Sequence, residues 1–211
     1  WRNEIESLLK KNNITQGGRI RVSFFRKSSG YYLPHSHELD YIIEAYPFED
    51  NFYKINENGK NVDVYPDIKK DINRLSMFKT LNCNIYIMAS LFANERGLDD
   101  ALIKNMNEGI IEATASNLFL VSNGVLYTSS LVEGCVAGTM RMNIINIALE
   151  NGIKVYECAL NPQNLLVADE IFLTNAIRGV EWVSSYRTKR YFNDMAKSMV
   201  NMLNKFHSEN E

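Results

Sequence analysis

The run KTLNCNIYIMASLFANERGLDDALIKNMNEGIIEATASNLFLVSNGVLYTSSLVEGCVAGTMR, residues 79–141, decides the fold. It opens on a lysine, Lys79. Residues 81–97 then carry Ile85, Met88, Ala89 and Phe92 at helical core spacing and stop at Gly97. The apolar period next drops to two. DDALIKN and GIIEATA flank an Asn-Glu-Gly turn at 107–109, and NLFLVSNGVLYT (117–128) turns at Asn123-Gly124. Both read as β-hairpins, because residues of that kind tolerate the positive φ of a tight hairpin turn. A helix is predicted from about Val136 to Asn151, closed by Gly152. One helix, two hairpins and a second helix define a mixed α/β (α+β) class.

Downstream, KVYECAL (154–160), DEIFLTNA (169–176) and VEWVSSY (180–186) read as strands, with a short helix at NPQNLLVA. TKRYFNDMAKSMVNMLNKFHSE (188–209) reads as a closing amphipathic helix, with Met195, Met199 and Met202 as core filler. Upstream, WRNEIESLLKKNN is helix-like, with Ile5, Leu8 and Leu9 on one face. RIRVSFFR (19–26), YIIEAYPF (41–48) and a short VDVYP read as strands, with a loop at 49–61. Residues 66–78 read as a linker. The division expected is therefore 1–65 as a small amino-terminal α/β domain, 66–78 as linker, and 79–211 as a larger domain.

Bulk properties narrow the function classes. The 211 residues are 45% hydrophobic with a net charge of −2 and both signs interspersed. That leaves enough apolar material for real cores and no basic footprint for nucleic acid. Cys83, Cys135 and Cys158 are an odd count without close spacing. Disulfides and a zinc site are not expected, and a reducing, cytoplasmic setting fits. No apolar run reaches the ~18 residues of a membrane span. His35-Ser36-His37 lacks a third ligand nearby and reads as a polar loop. Tyr31-Tyr32 and Trp182 read as core or interface aromatics.

Three features carry chemistry. Lys79 lies between Phe78 and an apolar helix, so its stem is expected to be partly buried, which favours a nucleophilic amine; most lysines, however, are solvated surface groups. Glu112 interrupts the apolar strand Ile110-Ile111-Glu112-Ala113. By alternation it points the same way as Ile110, either to solvent or inward to a cationic partner. Gly138-Thr139 open a helix whose free amides and dipole favour a phosphate; the ordinary reading is a helix start with small residues. Thr174-Asn175-Ala176 is a similar polar cluster at a strand end. A lysine for a Schiff base, a carboxylate for a ring nitrogen and a phosphate cradle are what pyridoxal 5'-phosphate requires of a protein.

The order and wording of these motifs resemble the class IV aminotransferase family, the fold-type-IV pyridoxal-phosphate enzymes. The matching phrases are FKTLN (78–82), NERGLDDALIKNMNEGIIEATASNLF (94–119), EGCVAGTMR (133–141), ENGIKVYE (150–157) and ADEIFLTNA (168–176). RIRVSFFR and the following KSSGYYLP resemble the end of the family's smaller amino-terminal domain. The resemblance implies two domains, the smaller one incomplete here and without the arginine that clamps the phosphate in relatives. It implies Lys79 as the catalytic, cofactor-bonded lysine and proton shuttle, and Glu112 as partner of the ring nitrogen. Gly138, Thr139, Met140 and Asn175 would lie around the phosphate, and Arg26 on a strand that faces the substrate carboxylate.

It also implies a homodimer. KTLN is similar to the 4-amino-4-deoxychorismate lyase and D-amino-acid aminotransferase branches, GTMR and TNA (174–176) are similar to the lyase branch, and Asn84 stands where branched-chain enzymes have a tyrosine. The lyase branch gives 4-aminobenzoate, a folate precursor, and pyruvate. A branched-chain or D-amino-acid aminotransferase is the alternative. A non-catalytic remnant serving as a dimerisation module is the third.

Overall fold

The computed structural model describes residues 1–48 and 51–208. Residues 49 and 50 of the expected loop, and Glu209 at the end of the expected last helix, lie outside the described residues. The chain divides into two compact units, Trp1–Phe52 and Tyr53–Glu211.

The first unit holds helix α1 (Arg2–Lys11) and an antiparallel hairpin of β1 (Gly18–Arg26) and β2 (Leu39–Pro47), in register from Gly18↔Pro47 to Arg26↔Leu39. Trp1, Phe24 and Tyr41 form an aromatic cluster, and the Tyr41 hydroxyl donates to Glu4 Oε2 at 2.7 Å. No described residue of this unit is fully buried. Tyr31 and Tyr32, expected in a core or interface, are fully exposed at 96% and 101%.

The second unit is built on a nine-stranded sheet. Its strands are β3 (Lys60–Val64), β4 (Asp100–Lys104), β5 (Ile110–Ala113), β6 (Asn117–Ser122), β7 (Val125–Ser129), β8 (Val155–Cys158), β9 (Glu170–Asn175), β10 (Gly179–Tyr186) and β11 (Lys189–Arg190). Six of them close on themselves. β10 pairs with β3, β3 with β4, β4 with β5, β5 with β6, β6 with β9, and β9 with β10. The result is a small barrel from which β7–β8 and β11 extend. Closure removes the edges that an open sheet leaves unpaired.

Alternation along the strands sorts three apolar clusters. Val62, Leu102, Leu118, Leu120, Ile171, Leu173 and Val183 form one, inside the ring of strands. Their neighbours Phe119, Val121, Phe172 and Val180 point the other way. They meet α3 (Thr139–Glu150) and α5 (Asp194–Ser208) through Ile144, Ile147, Met199 and Leu203. Ala101, Ile103 and Ile111 pack against α2 (Asn84–Glu95) at Ala89 and Ala93. α4 (Pro162–Val167) contributes Leu165 to the first cluster.

Four expectations change. β3 pairs with β10 and β4, so residues 60–65 belong to the larger unit and the division falls after Phe52 rather than in 66–78. Residues 66–78 are no free linker: Lys70 bridges to Asn105, and Ser76 is buried. α2 turns Ala89 and Ala93 inward and leaves Met88 45% exposed, while Phe92 packs edge to face on Tyr65. α5 starts at Asp194, since residues 189–190 pair with β10 first.

Candidate active site

The site is organised by Glu112, and a strand irregularity decides where that carboxylate points. Leu102 pairs with Ala113 and Ile103 with Glu112, but Lys104 pairs with Ile110. Ile111 is left without an opposite residue, as in a β-bulge. The shift overturns the strict alternation expected from the sequence. Glu112 lies opposite Ile103, on the sheet face covered by α2, whereas Ile110 faces the barrel cluster. It is 2% exposed, so of its two open readings the inward one holds.

Three donors meet the carboxylate. Lys70 Nζ reaches Oε1 at 2.7 Å, Tyr86 Oη reaches the same oxygen at 2.8 Å, and the Val136 amide reaches Oε2 at 2.8 Å. A buried carboxylate needs such partners. Burial, and then the Glu112 charge, push the Tyr86 phenol well above its usual range, which keeps it a donor. The Cys135 thiol beside this loop is also raised, chiefly by burial.

The loop 135–138 ties the remaining parts together. The Val136 carbonyl accepts from Asn117 Nδ2 at 2.8 Å, and the Ala137 amide donates to Met77 O at 2.8 Å. One short loop thus joins the Glu112 carboxylate, the β6 start and the segment that leads into Lys79. Gly138 is the N-cap of α3, with no side-chain cap bond. A Cβ there would collide with Asn117 Oδ1, so a larger residue would have to displace that side chain from the loop. Thr139 and Met140 follow as the first helical residues. Thr139 is exposed, while the Met140 side chain is buried in the core.

On the neighbouring strand pair, Asn117 opposes Thr174. Thr174 Oγ1 is buried without a partner. Asn175 Nδ2 donates to Ser116 Oγ at 2.9 Å, and its Oδ1 accepts the Ile177 and Arg178 amides. Asn175 therefore clamps the β9–β10 turn to the Ser116 loop.

Of the residues singled out in the sequence, Glu112, Gly138, Thr139, Met140 and Asn175 are joined by this chain of contacts. Lys79 is two residues beyond the Met77 tie. It is exposed, as are Phe78 and Leu81, and makes no hydrogen bond or ion pair among the described residues. The expected partial burial is corrected, because the apolar helix begins only at Asn84 and leaves 77–82 on the surface. Arg26 belongs to the first unit, where its guanidinium donates to Gly30 O and Tyr31 O.

Sequence reasoning missed Lys70 and Tyr86. Lys70 sits in a stretch read as linker, with no periodicity to mark it. Tyr86 stands three residues ahead of Ala89 and seven ahead of Ala93, on the buried face of α2. That spacing was a legible signal. Among the described residues there is no cluster that could hold a metal ion, and no helix long and apolar enough to cross a membrane.

Comparison with known proteins gives three findings. Residues 1–186 match the family described as amino-transferase class IV. A branched-chain-amino-acid aminotransferase of Salmonella typhimurium is 33% identical over 184 residues, 84% of this chain and 59% of that relative. Across the first curated relatives the chain spans 33% to 59% of their length. Two solved structures share the fold. A Legionella pneumophila protein provisionally named 4-amino-4-deoxychorismate lyase superposes with a TM-score of 0.86 at 24% identity, over 96% of this chain and 75% of that one. A branched-chain amino acid aminotransferase of Thermobaculum terrenum, in its pyridoxal-phosphate form, gives 0.85 at 18% identity, over 97% and 69%.

Proposed function

This chain belongs to the amino-transferase class IV family, and we propose that the constellation around Glu112 serves a pyridoxal 5'-phosphate-dependent reaction at the α-carbon of an amino-acid-like substrate. The observation that carries the proposal is the buried, hydrogen-bonded Glu112 joined through one loop to both the Lys79 segment and the α3 start.

The residues fit the cofactor in three respects. A carboxylate has about four acceptor positions. Three are taken at Glu112, leaving one on Oε2 for a ring N–H. The first amides of α3, at Thr139 and Met140, have no side-chain cap and are donors for a phosphate. The unpartnered hydroxyl of Thr174 is a further polar group on the strand next to Asn117.

When bound, the cofactor supplies an electron sink for the pair left at the α-carbon as a bond to it breaks. Glu112 would hold the ring nitrogen by hydrogen bond and opposite charge. Tyr86 and Lys70 keep that carboxylate aimed. Lys79, with no partner to hold its amine, moves the proton at the α-carbon. Arg26 would recognise a substrate carboxylate.

Within the family we read the chain as a 4-amino-4-deoxychorismate lyase, giving 4-aminobenzoate and pyruvate. Support comes from Asn84 at the start of α2 and from the Thr174-Asn175-Ala176 and Gly138–Arg141 phrases. The second reading, an aminotransferase for branched-chain or D-amino acids, is favoured by the names of the curated relatives. A homodimer is part of either reading; the exposed apolar side chains of Leu75, Phe78, Leu81, Ile87 and Leu91 suit a second copy.

The test is turnover without an acceptor. A lyase releases pyruvate from 4-amino-4-deoxychorismate with no oxo acid added. An aminotransferase converts its cofactor to the pyridoxamine form with amino donor alone and stops until an oxo acid arrives. Stoichiometric pyridoxal-phosphate binding with turnover would sink the third reading, a non-catalytic dimerisation module.

A further inference from the structure

We propose that Lys70 is a positioning residue, an ammonium whose contacts couple Glu112 to the segment that delivers Lys79. The inference rests on the functional reading above and adds a residue to it.

The geometry is that of a three-way clamp. Lys70 Nζ donates to Glu112 Oε1 at 2.7 Å and to Ser76 O at 2.9 Å, and it lies 5.5 Å from the centre of the Tyr86 ring. The two charged side chains are only 12% and 3% exposed. An ammonium carries three donors on a compact centre, and here each direction has a use: a carboxylate, a carbonyl and an aromatic face.

The main chain of Lys70 is fixed as well. Its amide donates to Lys104 O at 2.8 Å, and its carbonyl accepts the Met106 amide at 3.2 Å, so the residue is anchored to the end of β4. Beyond it the chain folds into a tight turn. Ser76 Oγ donates to Asp71 O at 2.7 Å and accepts from the Asn73 amide at 2.9 Å. The Lys70 ammonium closes that turn from inside at Ser76 O. Lys79 follows three residues later. Removing the ammonium would therefore strip Glu112 of its counter-charge and release the turn that leads to Lys79. Neither effect requires Lys70 to touch substrate.

The experiment compares the wild-type chain with Lys70→Met, Lys70→Arg, Glu112→Gln and the double variant Lys70→Met/Glu112→Gln. Two readouts are taken: urea unfolding without cofactor, and pyridoxal-phosphate affinity by absorbance titration. A hydrogen bond to a charged group corresponds to roughly tenfold to a hundredfold in an equilibrium constant. The inference expects Lys70→Met to weaken cofactor affinity by about tenfold or more, and Lys70→Arg to recover most of that loss through its retained charge. In the unfolding cycle the double variant is expected to lose less than the two single losses combined.

A Lys70→Met chain that binds cofactor as well as wild type overturns the inference while the functional reading stands. Additive losses in the unfolding cycle overturn it independently of any cofactor. A wild-type chain that binds no pyridoxal phosphate overturns the functional reading and this inference with it; coupling that persists in the cycle then marks the pair as purely structural.

Discussion

At the scale of single residues, the site depends on where one carboxylate points. The sequence marked Glu112 by its oddity in an apolar strand, but the two-residue period put it beside Ile110. The extra residue, Ile111, reverses that. A bulge of this kind is set by how two strands meet, so one strand's pattern does not reveal it. Lys70 was illegible for a related reason: its partners, Ser76, Tyr86 and Glu112, are brought together by tertiary contacts. Lys79, by contrast, was legible as a residue and misjudged in burial. Because it is exposed and unpartnered, Lys79→Ala is expected to abolish cofactor-dependent turnover while changing unfolding free energy by no more than about 0.5 kcal/mol. Urea unfolding and a turnover assay on the same preparation check both halves.

A second residue-scale prediction concerns acid. Glu108 takes hydrogen bonds from Lys104 and Lys69, which hold its carboxyl at about 2, below its ordinary value of 4.5. A depressed folded-state value contributes stability that is present above about pH 4.5 and is lost as pH falls through about 2. Glu108 is exposed, so the effect is small and screened by salt. Glu108→Gln is expected to flatten the acid limb of stability between those values, and to do so less in high salt. An unchanged acid limb at low salt would contradict it.

At the scale of elements, the hairpins and helices read well because their signals are local. Asn123 and Gly124 adopt φ of 50° and 73°, the positive pair that a two-residue hairpin turn needs. α3 starts at Thr139, three residues after the Val136 that the sequence suggests. The reason lies in the loop before it, whose amides and carbonyls serve Glu112, Asn117 and Met77 instead of a helix. Gly138→Ala tests that loop. A Cβ would press on Asn117 Oδ1 and force that side chain, whose amide holds Val136 O, to turn away. A loss of roughly 1–3 kcal/mol is expected, as for other overpacked sites, together with weaker cofactor binding. Wild-type stability in this variant would show that the close approach is not needed.

At the scale of the whole molecule, the sequence conveyed the α/β class but not the closure of six strands into a barrel. Pairings such as β10 with β3 and β6 with β9 join residues far apart in the chain, and no local pattern encodes them. The same pairing moved residues 60–65 into the larger unit. All three apolar clusters lie there, and the first unit has no fully buried residue among those described. Residues 53–211 alone are therefore expected to unfold cooperatively, within about 5 °C of the 211-residue chain by calorimetry. A broad, non-cooperative transition would contradict that assignment of the core.

The central claim is that Lys79 and Glu112 belong to one pyridoxal-phosphate site. The most direct measurement is to incubate the 211-residue chain with pyridoxal phosphate, reduce with borohydride, and map the labelled peptide by mass spectrometry. A single stoichiometric adduct on Lys79, greatly diminished by Glu112→Gln, is the result expected. Label on Lys70, or scattered substoichiometric label on surface lysines, would contradict the claim.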